Sequence, residues 1–292
     1  MPGRRSHHTL ATLAVLAAAL LFGTTGTVLV NAPDGAGAIS VGVVRLLIGG
    51  PLLLLVALLQ SGRRALASWL RPLTLLGVAG VACFQLGYFL AVERTGVAVG
   101  TVVTIGSGPV LSGIIQSVMT RTSPGRRWLL GTALSILGVA LLGLTGTAAD
   151  TDMAGVVLAL AAGLGWAVFA TVGKHEIDDG VPSTAIMAAL FAGAAAVLSP
   201  LLLWHTPTWL SQPSGLTIAL YLGVVTVGVA YTLYGIALRH LAAPTVITLT
   251  LLEPITAAML GAVVVHEGIR PAGWVGIALV LTGLVFTATV AE

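Results

Sequence analysis

The stretch Gly131-Thr-Ala-Leu-Ser-Ile-Leu-Gly138 returns 145 residues later as Gly276-Ile-Ala-Leu-Val-Leu-Thr-Gly283. The same offset carries Arg94 onto Arg239, Ala98 onto Ala243 and Pro109 onto Pro254. Around these anchors the chain divides into ten apolar segments, five in each copy. An odd number of membrane crossings per copy puts the copies in opposite orientations, the inverted-repeat plan of secondary transporters. The expected fold is an all-α integral membrane protein of ten transmembrane helices. Its two inverted five-helix repeats are expected over residues 9–146 and 153–291.

Composition points the same way. The 292 residues are 57% hydrophobic and 8% charged, with a mean hydropathy of +1.05. Soluble domains carry about 25% charged residues, so a water-soluble domain is excluded. Spans are expected near Thr9–Val30, Ile39–Leu59, Leu73–Val92, Val97–Met119 and Trp128–Thr145 in the first copy. In the second they fall near Met153–Gly173, Thr184–Leu203, Gly215–Leu238, Thr245–Val265 and Gly273–Val290. Each approaches the roughly 20 residues that a helix needs to cross hydrocarbon. None shows the period-2 alternation of barrel strands, so the runs are helical. The run after the basic start is too long for a secretory leader and lacks an Ala-x-Ala exit, so it is read as the first span.

The net charge of +3 does not mark a nucleic-acid binder, because the arginines sit in short loops and no basic helix gathers them. Cys83 is the sole cysteine and lies inside an apolar run, which excludes a disulfide framework and a cysteine metal site. No metal or cofactor is expected. Trp128, Trp204, Trp209 and Trp274 fall at span ends and are expected to anchor at the interfaces.

Polar and interrupting residues inside the spans are the candidates for function. Pro109 and Pro254 occupy equivalent depths in spans four and nine, and matched interruptions are the best sequence pointer to a transporter site. Both are expected to break their helices, the alternative being a simple kink. Glu253 stands near the centre of span nine, where a charge costs at least ~2.5 kcal/mol. It is the candidate for coupling to protons or to substrate charge, against a structural carboxyl at the kink. Arg45, inside span two, either snorkels outward or attracts an anionic substrate group. Gln85 and Tyr88 lie three apart on span three, as Tyr231 and Tyr234 do on span eight. With Thr25, Ser107 and Trp166 they complete the candidate substrate lining, since small-molecule sites combine aromatic walls with a few placed polar groups.

An enzyme is not expected. His266-Glu267 lacks the second histidine of a zinc-binding His-Glu-x-x-His. Ser107 lacks the flanking glycine pattern of an intramembrane serine site, and no Gly-x-x-x-x-Gly-Lys loop is present to hold ATP phosphates.

The second copy contains Leu241-Ala-Ala-Pro-Thr, Leu251-Leu-Glu-Pro-Ile-Thr-Ala-Ala, Val265-His-Glu267 and Gly273-Trp-Val-Gly-Ile-Ala-Leu. With these stretches it resembles the EamA module of the drug/metabolite transporter superfamily. The first copy is a fainter version and departs where Thr122 replaces Glu267. The resemblance implies the EamA/DMT fold, cytoplasmic termini and a central cavity between the repeats. It further implies a multi-pass protein of the cell membrane, in a family that mostly exports amino acids and other metabolites.

The leading expectation is a secondary-active exporter of small metabolites such as amino acids, working by alternating access between the two repeats. Efflux of drugs or cationic compounds is the alternative, and a non-transporting accessory protein a second one. The expected partners are a small-molecule substrate and the lipid bilayer, with oligomeric state open. With both termini inside, the inner segments hold Arg4, Arg5, Arg63, Arg64, Arg71, Arg121, Arg126, Arg127, Lys174 and Arg239, and the outer loops only Arg94 and Arg270. The positive-inside rule therefore predicts cytoplasmic termini. A reporter fused to the C-terminus should be active in its cytoplasmic form; activity in the periplasmic form alone would overturn the orientation.

Overall fold

The computed structural model describes residues 2–122, 124–144, 152–264, 266 and 268–288. Ten helices in it are long and apolar enough to cross a membrane: α1 (His7–Leu29), α2 (Ala38–Leu66), α3 (Pro72–Gly96), α4 (Val99–Thr120) and α5 (Arg126–Gly143). The second copy supplies α6 (Met153–Asp178), α7 (Ser183–Leu203), α8 (Pro213–Leu238), α9 (Ala243–Val264) and α10 (Pro271–Ala288). These spans match the sequence expectation to within several residues. Thr145, Val265, Glu267 and Val290, and so the expected outer limits of both repeats, lie outside the described residues.

Local chemistry sets several boundaries. Proline opens α3 and α8, where its missing N–H is no loss. Asp152 caps α6 by accepting from the Ala154 N–H at 2.9 Å. That bond, with a second from Arg94, holds the Asp152 carboxyl below its usual range. Between α3 and α4 the helical run turns at Gly96, whose φ of 80° disfavours any residue with a Cβ.

The bundle is assembled across the repeats. Helix α1 packs on α8 and α9, while α6 packs on α3 and α4. Helix α2 pairs with α7, and α5 with α10. Exchanging the copies turns α1–α8 and α1–α9 into α6–α3 and α6–α4, and carries α2–α7 and α5–α10 onto themselves. The α5–α10 pair shows this at residue level, and it is formed by the repeated octapeptides. Gly131 meets Gly283 and Gly138 meets Gly276, so the two stretches run antiparallel. A Cβ on Gly138 would lie 2.5 Å from the Gly276 carbonyl oxygen, and one on Gly276 2.6 Å from that of Gly138. Only glycine allows the backbones this close.

Further ties bind α6 to α3 and α4. Arg71, just before α3, donates to the buried Glu176 at 2.7 Å, and Arg94 donates to Asp152 at 3.1 Å at the opposite end. Thr104 of α4 donates to the Ala159 carbonyl at 3.2 Å.

Two tryptophans depart from the expected interfacial role. Trp209 is buried and its Nε1 donates to Ser40 at 3.0 Å. Trp128 is buried with its ring over Gly113. Both find glycine or polar partners inside the protein, whereas Trp204 and Trp274 stay exposed.

Substitution Gly138→Val should lower stability by about 1–3 kcal/mol, the usual cost of overpacking. Gly26→Ala, where no atom lies within 4 Å of the added carbon, should leave it unchanged or slightly raised. Thermal unfolding of both variants in detergent measures the contrast.

Candidate functional site

Charged side chains inside a helix bundle need neighbours, and Arg45 finds them on α3. Its Nη2 donates to Gln85 Oε1 at 2.8 Å, and its guanidinium carbon lies 5.6 Å from the Phe89 ring centroid. Phe89 sits one turn beyond Gln85, so one face of α3 supplies both contacts. Gly42 on α2 makes this possible, because a Cβ there would meet Gln85 Nε2 at 2.6 Å and the Phe89 ring. Arg45 therefore points into the bundle, which decides between the two alternatives that its position left open.

Glu253 comes from the other copy. Helix α9 is broken: Ala243–Leu249 ends, Thr250 and Leu251 form a turn, and Leu252–Val264 resumes. Pro254 has no N–H to give the Thr250 carbonyl, which instead accepts from the Glu253 N–H at 2.9 Å. Glu253 thus occupies the first turn of the second half-helix, where unpaired N–H groups favour negative charge. The break expected at Pro109 does not occur. The helix continues through it, and the space beside the adjacent Gly108 is filled by the Trp166 ring.

Among the described residues, Arg45 and Glu253 form no direct ion pair. Arg45, Tyr88 and Glu253 lie deep among protein atoms and are half-buried. Nine aromatic side chains form one connected network beside them, with ring centroids 3.8–6.2 Å apart. Aromatics make up only 5% of the chain, so this concentration distinguishes the centre from the lipid-facing surface.

The other sequence candidates divide. Tyr88 shares a hydrogen bond with Thr101 at 3.1 Å. Tyr231 packs on Phe22, Phe169 and Phe191, while Tyr234 is fully buried behind it. Trp166 approaches the Tyr234 hydroxyl without forming a well-directed bond. Ser107 is a packing residue: it donates to the Thr104 carbonyl at 3.1 Å and presses on Gly163. On α1 the tie to α8 is made by Thr24, which accepts from Tyr221 at 2.9 Å, while its neighbour Thr25 is part-exposed.

Sequence inspection missed two features. Phe84 and Phe89 flank Gln85 and Tyr88 at helical spacing, a signal that was present but looked like ordinary apolar filling. The segment Leu222–Val229 of α8 is a π-helix lying against α1 and α2, and no residue pattern announced it. Such bulges recur at functional sites.

The sequence profile of the EamA-like transporter family matches residues 9–144 and 153–289. The chain belongs to that family. This EamA-like transporter is 38% identical to the uncharacterized transporter YwfM of Bacillus subtilis (strain 168), over 93% of its own length and 91% of the relative's. It is 30% identical to the threonine/homoserine exporter RhtA of Escherichia coli (strain K12), over 80% and 76% of the two chains. A solved crystal structure superposes with a TM-score of 0.83 at 19% identity, covering 96% of this chain and 97% of that one, and so shares its fold. The EamA-like protein is a multi-pass membrane transporter.

Among the described residues Arg45 has no carboxylate within ion-pair reach, so its charge works against folding rather than for it. Replacing the hydrogen-bonded pair with apolar groups of similar size, Arg45→Met with Gln85→Leu, should leave stability unchanged or raise it by about 1–4 kcal/mol. Thermal unfolding in detergent tests this. A clear fall would identify the pair as a structural element.

Proposed function

We propose that this transporter is a secondary-active exporter of small metabolites, with amino acids as its substrates. The observation that supports this most is the pair of opposite charges, Arg45 and Glu253, held apart in an aromatic-walled interior between the two copies. A site with one cation and one anion suits a small molecule bearing both signs. The likeness to a threonine/homoserine exporter supports the same substrate class.

Transport proceeds by alternating access around this site. The two inverted repeats, residues 9–146 and 153–291, supply the symmetry, and packing suggests which helices move together. One body is α6 with α3 and α4; the other is α1 with α8 and α9. Broken helix α9 and the π-segment of α8 sit in the second body and provide its bending points. Both termini lie in the cytoplasm of a cell whose inner or plasma membrane holds the protein, on the arginine asymmetry.

Glu253 couples transport to protons or to substrate charge. It is the acid placed at the break of α9, in the same buried interior as Arg45, Tyr88 and Tyr231. Cells producing the protein and fed amino-acid-containing dipeptides should release one or more free amino acids faster than cells without it; equal release across all twenty would sink the reading. In proteoliposomes, Glu253→Gln should reach the membrane in normal amount while the pH dependence of transport flattens. An unchanged rate and pH profile would leave Glu253 without a coupling role.

A further inference from the structure

Away from the central charges, α4 and α5 form an apolar groove of about 690 Å³. Each helix gives it one face: Val110, Ile114 and Val118 from α4, and Leu129, Ile136 and Leu137 from α5. All of these but Ile136 are exposed, so in a membrane they meet hydrocarbon. The two hydroxyls of the lining are already engaged. Ser117 donates to the Gly113 carbonyl at 2.7 Å, and Thr132 shares a hydrogen bond with Thr248 at 3.1 Å. The groove therefore offers an occupant apolar contact alone. From Trp128 to Ala140 it runs about 18 Å along α5, at 1.5 Å per residue. That is a little over one leaflet of a hydrocarbon core ~30 Å thick.

At the loop end the chemistry changes. A second cavity of about 370 Å³ adjoins the groove and shares Ser117, Pro124 and Trp128 with it. Gln116, Thr122, His240 and Thr245 make its wall polar. The loop that lines it reads Arg121-Thr-Ser-Pro-Gly-Arg-Arg127, three cations and no acid. All three arginines are exposed, and among the described residues none is in an ion pair. At the repeat offset the second copy reads His266-Glu-Gly-Ile-Arg-Pro-Ala272, one arginine against one acid. Thr122, where the first copy departs from the second, thus belongs to a loop whose positive charge its counterpart on the opposite membrane face lacks.

We propose that this groove binds one anionic phospholipid of the leaflet adjoining the α4–α5 loop, an acyl chain lying along the two helices and the phosphate at Arg121, Arg126 and Arg127. A channel one leaflet long, apolar throughout and opening at one end into a polar pocket beside three cations, matches a lipid from tail to headgroup. A second copy of the chain fits this face poorly. A two-fold pair in a membrane has its axis along the membrane normal, so self-contact at the groove would bring two arginine loops together. The site is independent of what the protein transports.

Native mass spectrometry of the purified full-length protein tests this with phosphatidylglycerol and phosphatidylcholine carrying the same chains. One phosphatidylglycerol should be retained, and phosphatidylcholine, whose own cation offsets its phosphate, should be held about tenfold more weakly. Arg126→Gln with Arg127→Gln should weaken phosphatidylglycerol about thirtyfold. Ala133→Trp fills the groove from its exposed side and should displace the lipid. Ala278→Trp, at the equivalent exposed position of the second copy, should not. Equal retention of the two lipids would overturn the proposal, as would normal phosphatidylglycerol binding by the arginine variant or by Ala133→Trp. Glycerol 3-phosphate and diacylglycerol each carry one end of the lipid, and neither should compete fully at equal concentration. Full competition by either would reduce the site to an ion contact or a bare apolar face and overturn it. A dimer lost in Ala133→Trp with lipid retention unchanged would assign the face to a second copy instead. Should the variants fail to fold, the two lipids and two competitors on the unaltered protein decide the matter.

Discussion

Helices in hydrocarbon gain nothing by hiding apolar side chains from one another, because lipid tails offer the same environment. This bundle is therefore held where backbones touch. The α5–α10 crossing at Gly131, Gly138, Gly276 and Gly283 is the clearest case, and Gly80 against Gly165 repeats the device between α3 and α6. Gly49 and Gly223 do the same between α2 and α8. Close contact at these seams takes up the small residues and leaves the large aromatic and charged ones for the centre. The site is where helices are kept apart, and the glycine seams are why they can be.

The central charges follow from the same constraint. Half-buried Arg45 and Glu253 are only weakly screened, and fixed dipoles hold each: Gln85 and the Phe89 face for one, the start of a half-helix for the other. These arrangements tolerate a charge without neutralising it. A direct ion pair would have been more stable and would have left nothing for a ligand to do. The ionic links between helices among the described residues, Arg71–Glu176 and Arg94–Asp152, lie at the ends of the bundle, where one or both partners reach solvent.

Much of this was legible in the sequence because membrane physics writes in long runs. Ten apolar segments, an odd count per copy and an exact spacing between octapeptides define the topology with no packing detail. Glu253 and Arg45 stood out because charge in a span is rare. Pro109 and Pro254 looked equivalent on spacing alone, but only α9 breaks. The residue before Pro109 is a glycine filled by Trp166, a contact made by another helix and invisible along one strand of sequence. Ser107 and Trp128 misled for the same reason: each faces a glycine on a neighbouring helix. The π-segment of α8 depends on its fit to α1 and α2 and left no local trace.

The exchange of partners across the repeats also governs how the protein is made. Helix α1 enters the membrane early, yet its packing partners α8 and α9 begin only at Pro213 and Ala243. Until they emerge, α1 has lipid or the insertion machinery where protein will later be. The first copy is thus an unfinished object during most of translation, with α5 likewise awaiting α10. A ribosome that stalls after the fifth span leaves a product with unmatched glycine faces in the bilayer, open to wrong partners or to proteolysis. The α5–α10 seam closes only when the last helix arrives.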